Sequence, residues 1–187
     1  MTYPWASGEV LTAADLNAYA GLVYITSATA TSGTVLDINN VFTSTFTSYR
    51  FVIDEHRTTA GTAYDLQLRI KAASPTSTGY YGGVTRVDIA ANSSNVFSMN
   101  NTAQYNLSLI ANSNGAASGW FDVHSPQLAK YTVINGQSSD NRNASGYGGI
   151  SHSGQLANTT QYTGVRLFIS GGAFANLSVR VYGYNNG

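Results

Sequence analysis

The chain of 187 residues has no cysteine, only three prolines and few charges. Without thiols there can be no disulfide framework, zinc ribbon, iron–sulfur site or cysteine nucleophile. The same absence suits synthesis in a reducing cytoplasm. Charged residues make up 10%, nine basic against nine acidic with a net charge of zero, where ordinary soluble domains carry about 25%. So dilute and balanced a charge drives neither nucleic-acid binding by counterion release nor attraction to anionic membranes. No apolar run nears the roughly 18 residues of a membrane helix, so no membrane insertion is expected. Met1-Thr2-Tyr3-Pro4-Trp5 has neither a basic nor an apolar leader region, which predicts a chain without a secretory signal. Pro75 and Pro126 fall in loops, so little blunts the edges of any sheet, and neighbouring chains are expected to cover them.

What is present divides the chain in two. Residues 1–20 hold the one convincing helical signal, Leu11-Thr12-Ala13-Ala14-Asp15-Leu16-Asn17-Ala18-Tyr19. Thr12 is placed to cap it, and Asp15 lies near the positive end of its dipole. Two turns are marginal alone, so Trp5, Leu11, Leu16 and Tyr19 need a surface to lie on and define an N-terminal anchor.

From residue 21 to 187 the hydrophobic period is two. Asp65–Lys71 and Leu177–Tyr182 alternate without a break, while Tyr49–Asp54, Tyr131–Ile134 and Gly164–Ile169 read as denser, more central strands. Weaker strands are expected at Val35–Ile38, Val84–Ala90, Asn95–Met99, Tyr105–Ile110 and Trp120–His124. Gly, Asn, Ser and Thr clusters separate them. Nothing between them is helical enough for a parallel crossover. The expected fold is all-β: an antiparallel, jelly-roll-like β-sandwich of about ten strands preceded by a short helix, with a closed barrel as the structural competitor.

Signals for catalysis are poor. Asp54, Asp65, Asp88, Asp122 and Asp140 could supply a pair of acids on paper, the minimum for glycoside hydrolysis, but aspartates in a β-protein usually sit at turns and strand ends. His56, His124 and His152 are isolated and lack metal-ligand spacing. Asp54-Glu55-His56-Arg57 reads as a solvated strand end. No nucleophile elbow or phosphate-binding loop occurs. No enzyme, cofactor or metal is expected.

Two echoing segments, Gly79-Tyr80-Tyr81-Gly82-Gly83-Val84 and Gly146-Tyr147-Gly148-Gly149-Ile150, read as loops that expose tyrosine rings. Sugar rings stack on such faces. Tyr80, Tyr81 and Tyr147, with Asp140, Asn141 and Arg142 beside them, are therefore the candidate glycan or receptor contacts. Trp120 is the alternative stacking residue, although its strand position predicts burial beside Phe121 and Val123. Arg50, Arg69, Arg166 and Arg180 recur once per strong strand and are candidate subunit-interface residues, where arginine is enriched.

The segment Trp5-Ala6-Ser7-Gly8-Glu9-Val10-Leu11-Thr12-Ala13-Ala14-Asp15-Leu16-Asn17-Ala18 resembles one found in tail-fibre and minor virion proteins of tailed bacteriophages. Ile38–Ile53 and Leu177–Tyr184 are similar to the opening and closing strands of β-sandwich modules in such proteins. The resemblance touches about a quarter of the chain. It implies a non-enzymatic virion component, made in the bacterial host cytoplasm, commonly trimeric, and attached to other virion proteins through its N-terminal segment. The long shaft of many fibres is missing, so the expectation is a compact knob or a tail or capsid decoration. A free carbohydrate-binding, lectin-like module is the rival reading.

Overall fold

The computed structural model describes residues 21–88, 92–141 and 147–185. The predicted N-terminal helix and the anchor residues Trp5, Leu11, Leu16 and Tyr19 lie outside them. The described residues form twelve strands: β1 (Leu22–Ala30), β2 (Val35–Ile38), β3 (Ser48–Thr58), β4 (Tyr64–Lys71), β5 (Tyr80–Asp88), β6 (Ser93–Thr102), β7 (Tyr105–Ala111), β8 (Ala117–His124), β9 (Thr132–Asn141), β10 (Tyr147–Leu156), β11 (Gly164–Phe168) and β12 (Phe174–Tyr184).

Eight strands run antiparallel in the order β1-β12-β3-β8-β9-β10-β5-β6, and four in the order β7-β4-β11-β2. One parallel bridge, Ala111 to Asn141, joins the two sheets. The architecture is all-β and sandwich-like. Phe51, Ile53, Phe121 and Val179 of the larger sheet and Leu66, Leu68, Leu107 and Leu167 of the smaller one share a single buried cluster. Burying each such side chain stabilises the fold by roughly 1.5–3 kcal/mol.

Period two explains most of this. In β4 the buried positions Leu66, Leu68 and Ile70 alternate with half-buried Gln67 and Arg69. In β3 the alternation slips, because the register shifts between Ile53 and the pair Glu55/His56. The bulge lets Ile53 and His56 both enter the core while Asp54 faces out. Asp54-Glu55-His56-Arg57 is thus the bulged middle of a strand, not the solvated strand end expected above.

The larger sheet makes room for one ring of the smaller. A Cβ at Gly154 on β10 would lie 2.8 Å from the Tyr105 ring and 2.2 Å from the Tyr81 carbonyl oxygen. Tyr105, from β7, uses that gap; its hydroxyl lies 3.3 Å from His152 Nδ1 and donates to the Ile134 carbonyl at 3.4 Å.

Candidate interaction surface

The larger sheet turns one face to the core and leaves the other uncovered among the described residues. Register places Tyr24, Tyr182, Arg50, Asp122, Asn135 and Ser153 side by side across six strands of that outer face. The next row carries Arg180, Val52, Trp120 and Gln137. Leu22, Tyr24, Val87, Val96, Tyr131 and Val133 belong to the exposed large apolar residues, and their positions in these strands, or just before β9 for Tyr131, put them on this face.

Its charges are tied down in pairs. Arg50 and Asp122 are direct cross-strand partners. The Arg50 guanidinium donates to both carboxylate oxygens at 2.8 Å, and Tyr184 donates its hydroxyl to Asp122 Oδ2 at 2.8 Å. The guanidinium also lies 4.2 Å from the centre of the Trp120 ring and 5.4 Å from that of Tyr184. Planar stacking with a bidentate fork is chemistry that lysine could not supply. Burial, then the bond to Asp122, pushes the Tyr184 hydroxyl up to about 12. Arg180 binds both oxygens of Asp54, one at 2.8 Å, and donates to the Tyr182 hydroxyl at 3.2 Å. Beside the row, His124 lies 3.0 Å from Ser48 Oγ and 2.9 Å from Asn135 Oδ1 through its two nitrogens.

The four candidate interface arginines thus all have partners within the chain, split between the two sheets. Arg166 donates to both oxygens of its cross-strand neighbour Asp37 at 2.8 Å, and Lys71 joins at 3.1 Å. The bond from Arg166 holds the Asp37 carboxyl down at about 2. Arg69 donates to the Ala103 carbonyl at 3.1 Å and lies 4.8 Å from the Phe168 ring centre.

Tyr80, Tyr81 and Tyr147 of the tyrosine–glycine segments do not sit in loops. Tyr80–Val84 lies in β5 and Tyr147–Ile150 in β10, two strands that pair with each other, Gln155 opposite Tyr81 and Leu156 opposite Tyr80. Alternation then separates the two tyrosines. Tyr80 is fully buried, accepting from the Ile70 amide at 2.8 Å and donating to the Thr76 carbonyl at 3.3 Å, so its ring offers no face to a ligand. Tyr81 is half-buried on the outer face. The backbones of Asp140, Asn141 and Tyr147 close the β9–β10 end, where Tyr147 pairs with Asn141. Their side chains and Arg142 lie outside the described residues. Trp120, expected to be buried, is half-buried and points outward. Phe121 and Val123 take the core positions, and its own place in the alternation is opposite to theirs.

Two histidines belong to the interior. His56 packs edge-on against Phe174 at 6.0 Å, and its Nε2 lies 3.4 Å from the Tyr64 carbonyl oxygen. Desolvation lowers both His56 and His152 to about 4. Such rings stay neutral at physiological pH. Among the described residues no three His, Asp or Glu side chains gather to hold a metal. Comparison with known proteins finds no matching family model, no matching curated protein and no matching solved structure.

Proposed function

We propose that this chain is a non-enzymatic bacteriophage virion structural protein: a compact fibre knob, or a tail or capsid decoration. In this reading residues 1–20 form a helical anchor to other virion proteins, a jelly-roll-like sandwich follows, and copies assemble as a homo-oligomer, most simply a trimer, that meets host-surface glycan. The observation that carries it is the outer face of the larger sheet. It is rich in tyrosine, tryptophan and stacked arginine, the composition of protein interfaces, and its charges are already neutralised in pairs. Eight strands at about 4.8 Å and roughly nine residues at about 3.3 Å give a face of about 1,100 Å². A stable interface needs about 800 Å² per partner. The net charge of zero leaves no long-range repulsion between copies. Val96, 76% exposed, is costly to leave in water and gains by being covered.

Deleting residues 1–20 tests the anchor. The truncated chain is expected to melt where the full chain does and to be lost from purified particles. A large fall in melting temperature would instead mean that the segment packs on its own sandwich. Light scattering tests the assembly: three copies of 19.8 kDa are expected at micromolar concentration, and a single copy would refute the oligomer.

A further inference from the structure

A recess opens where the two sheets part, away from the outer face. Four strands wall it: Asp65 on β4, Arg86 on β5, Phe97 on β6, and Asn106, Ser108 and Ile110 on β7, enclosing about 260 Å³. Its origin is local. Leu66 pairs with Leu109 but Gln67 pairs with Asn106, so Leu107 and Ser108 are extra residues on β7. Ser108 takes up the bulge in the left-handed region, at φ 53°, a conformation that is strained for a non-glycine residue. Asn106 holds it there, its Oδ1 accepting from the Ser108 amide at 2.7 Å and from its hydroxyl at 3.3 Å.

The same asparagine side chain lines the recess together with the Asp65 carboxylate. Asp65 Oδ1, by contrast, is buried with no hydrogen-bond partner among the described residues. A buried acceptor left so is destabilising, because it has given up its water without a replacement donor. Desolvation raises the Asp65 carboxyl above its ordinary range, although Asn106 and Arg86 both pull it down. Arg86 is itself only 8% exposed, whereas Phe97 at the mouth is 53% exposed.

We propose that this recess binds one neutral pyranose ring of a glycan. A wall that carries both a carboxylate and a guanidinium penalises a net anion and a net cation alike. It suits a ligand that both donates and accepts. Sugar hydroxyls donate to the Asp65 carboxylate and accept from Arg86, and a carbohydrate C–H face lies against the Phe97 ring. The volume falls just under that of pockets for drug-sized ligands, which fits one ring with the rest of the chain leaving past Phe97. This rests on the reading that the module meets a glycan, and supplies the site that the tyrosine–glycine segments do not.

The full-length chain, its Phe97→Ala variant and its Asp65→Asn variant should be titrated with methyl glucoside, galactoside and mannoside, followed by amide NMR shifts. Expected are shifts confined to Asp65, Asn106, Ser108 and their neighbours for at least one glycoside, with binding at least tenfold weaker in both variants. Phe97 is exposed, so its variant is expected to melt like the parent and keeps the test valid if Asp65→Asn unfolds. No shift in the recess with any glycoside, or equal binding by Phe97→Ala, overturns the proposal. A glycan array separates the two levels. If the parent and Phe97→Ala bind the same glycan equally well, the glycan reading stands and the recess falls. If the parent binds no glycan on the array and no glycoside in solution, both fall.

Discussion

Removing one partner of the Arg50–Asp122 pair should reveal which half of it is buried. The Asp122 side chain is 7% exposed and the Arg50 side chain 28%. Arg50→Ala leaves a carboxylate under the sheet surface with one remaining described donor, the Tyr184 hydroxyl. It also strips the guanidinium from the Trp120 ring. Stranding a buried charge costs about 3–5 kcal/mol, and the partial exposure and retained tyrosine bond place this case near about 3. Asp122→Ala removes the same two charge-assisted bonds but leaves a cation that can turn to water and stay on Trp120, so about 1.5 kcal/mol is expected. For a chain of this size the two costs correspond to losses of about 6–12 °C and about 3–6 °C in melting temperature. The double variant should cost less than the sum, because neither charge is then left alone. Urea denaturation of all four proteins at one fixed concentration reads the cycle. Equal losses, or a greater loss for Asp122→Ala, would refute the reasoning.

Burial lowers His56 and His152 to about 4, so the fold holds them neutral, while the unfolded chain protonates them near 6.5. Their stability is fully present above about 6.5 and is lost as pH falls toward about 4, by on the order of 3 kcal/mol each. Asp65, raised by burial, works in the opposite direction at the acid end of that window. Urea midpoints should fall between pH 7 and pH 4, and a flat profile would contradict the placement of both rings. Gly154→Ala should destabilise by at least about 1–3 kcal/mol, since its Cβ meets backbone at 2.2 Å. Gly149→Ala, with open space around it, should stay within about 0.5 kcal/mol. Thermal melts of the two compare them directly. Tyr80→Ala should cost about 3–5 kcal/mol by emptying a buried ring site, while Tyr81→Ala should cost less than about 1; similar melts for the two would overturn the strand assignment of this segment.

Alternation made the plain strands legible. β2 runs from Val35 to Ile38 as expected, and β4, β11 and β12 lie within a few residues of their expected bounds. The two unexpected strands, β1 and β10, are built on Tyr, Thr, Ser, Ala and Gly. In β10 only Ile150 and Leu156 are large apolar side chains on the buried face, with His152 and Gly154 between them. Ser-Gly composition reads as turn, and the sheet overrides it because both neighbouring strands supply a full ladder. The phase slip at Asp54 was invisible, since a bulge leaves no mark in a short window of residues. The arginines stood out as regular strand residues, but their partners did not. Asp122 lies 72 residues from Arg50 and Asp37 lies 129 from Arg166, and only the register brings them together. Asp65 could be named as a carboxylate from the sequence alone. The bulge that sets Asn106 and Ser108 beside it could not.

The two surfaces differ in what they leave unfinished, and that difference sorts their partners. On the outer face Arg50, Asp122, Tyr184, Arg180 and Asp54 already hold their hydrogen bonds within the chain. Covering such a face removes apolar side chains from water without stranding a charge, which is the condition for a flat protein interface to gain from burial. Strand edges reinforce the point, because β1 and β6 flank the larger sheet and neither contains a charged residue or a proline. Nothing in their composition opposes pairing with a further strand. In the recess the balance is reversed. Asp65 Oδ1 has no described partner, the wall mixes both signs, and a ring stands at the mouth. A second protein chain would have to deliver a matched polar group into a narrow space. A small polyhydroxylated ring brings several such groups on a rigid frame, and ordering it costs less entropy than ordering a peptide segment.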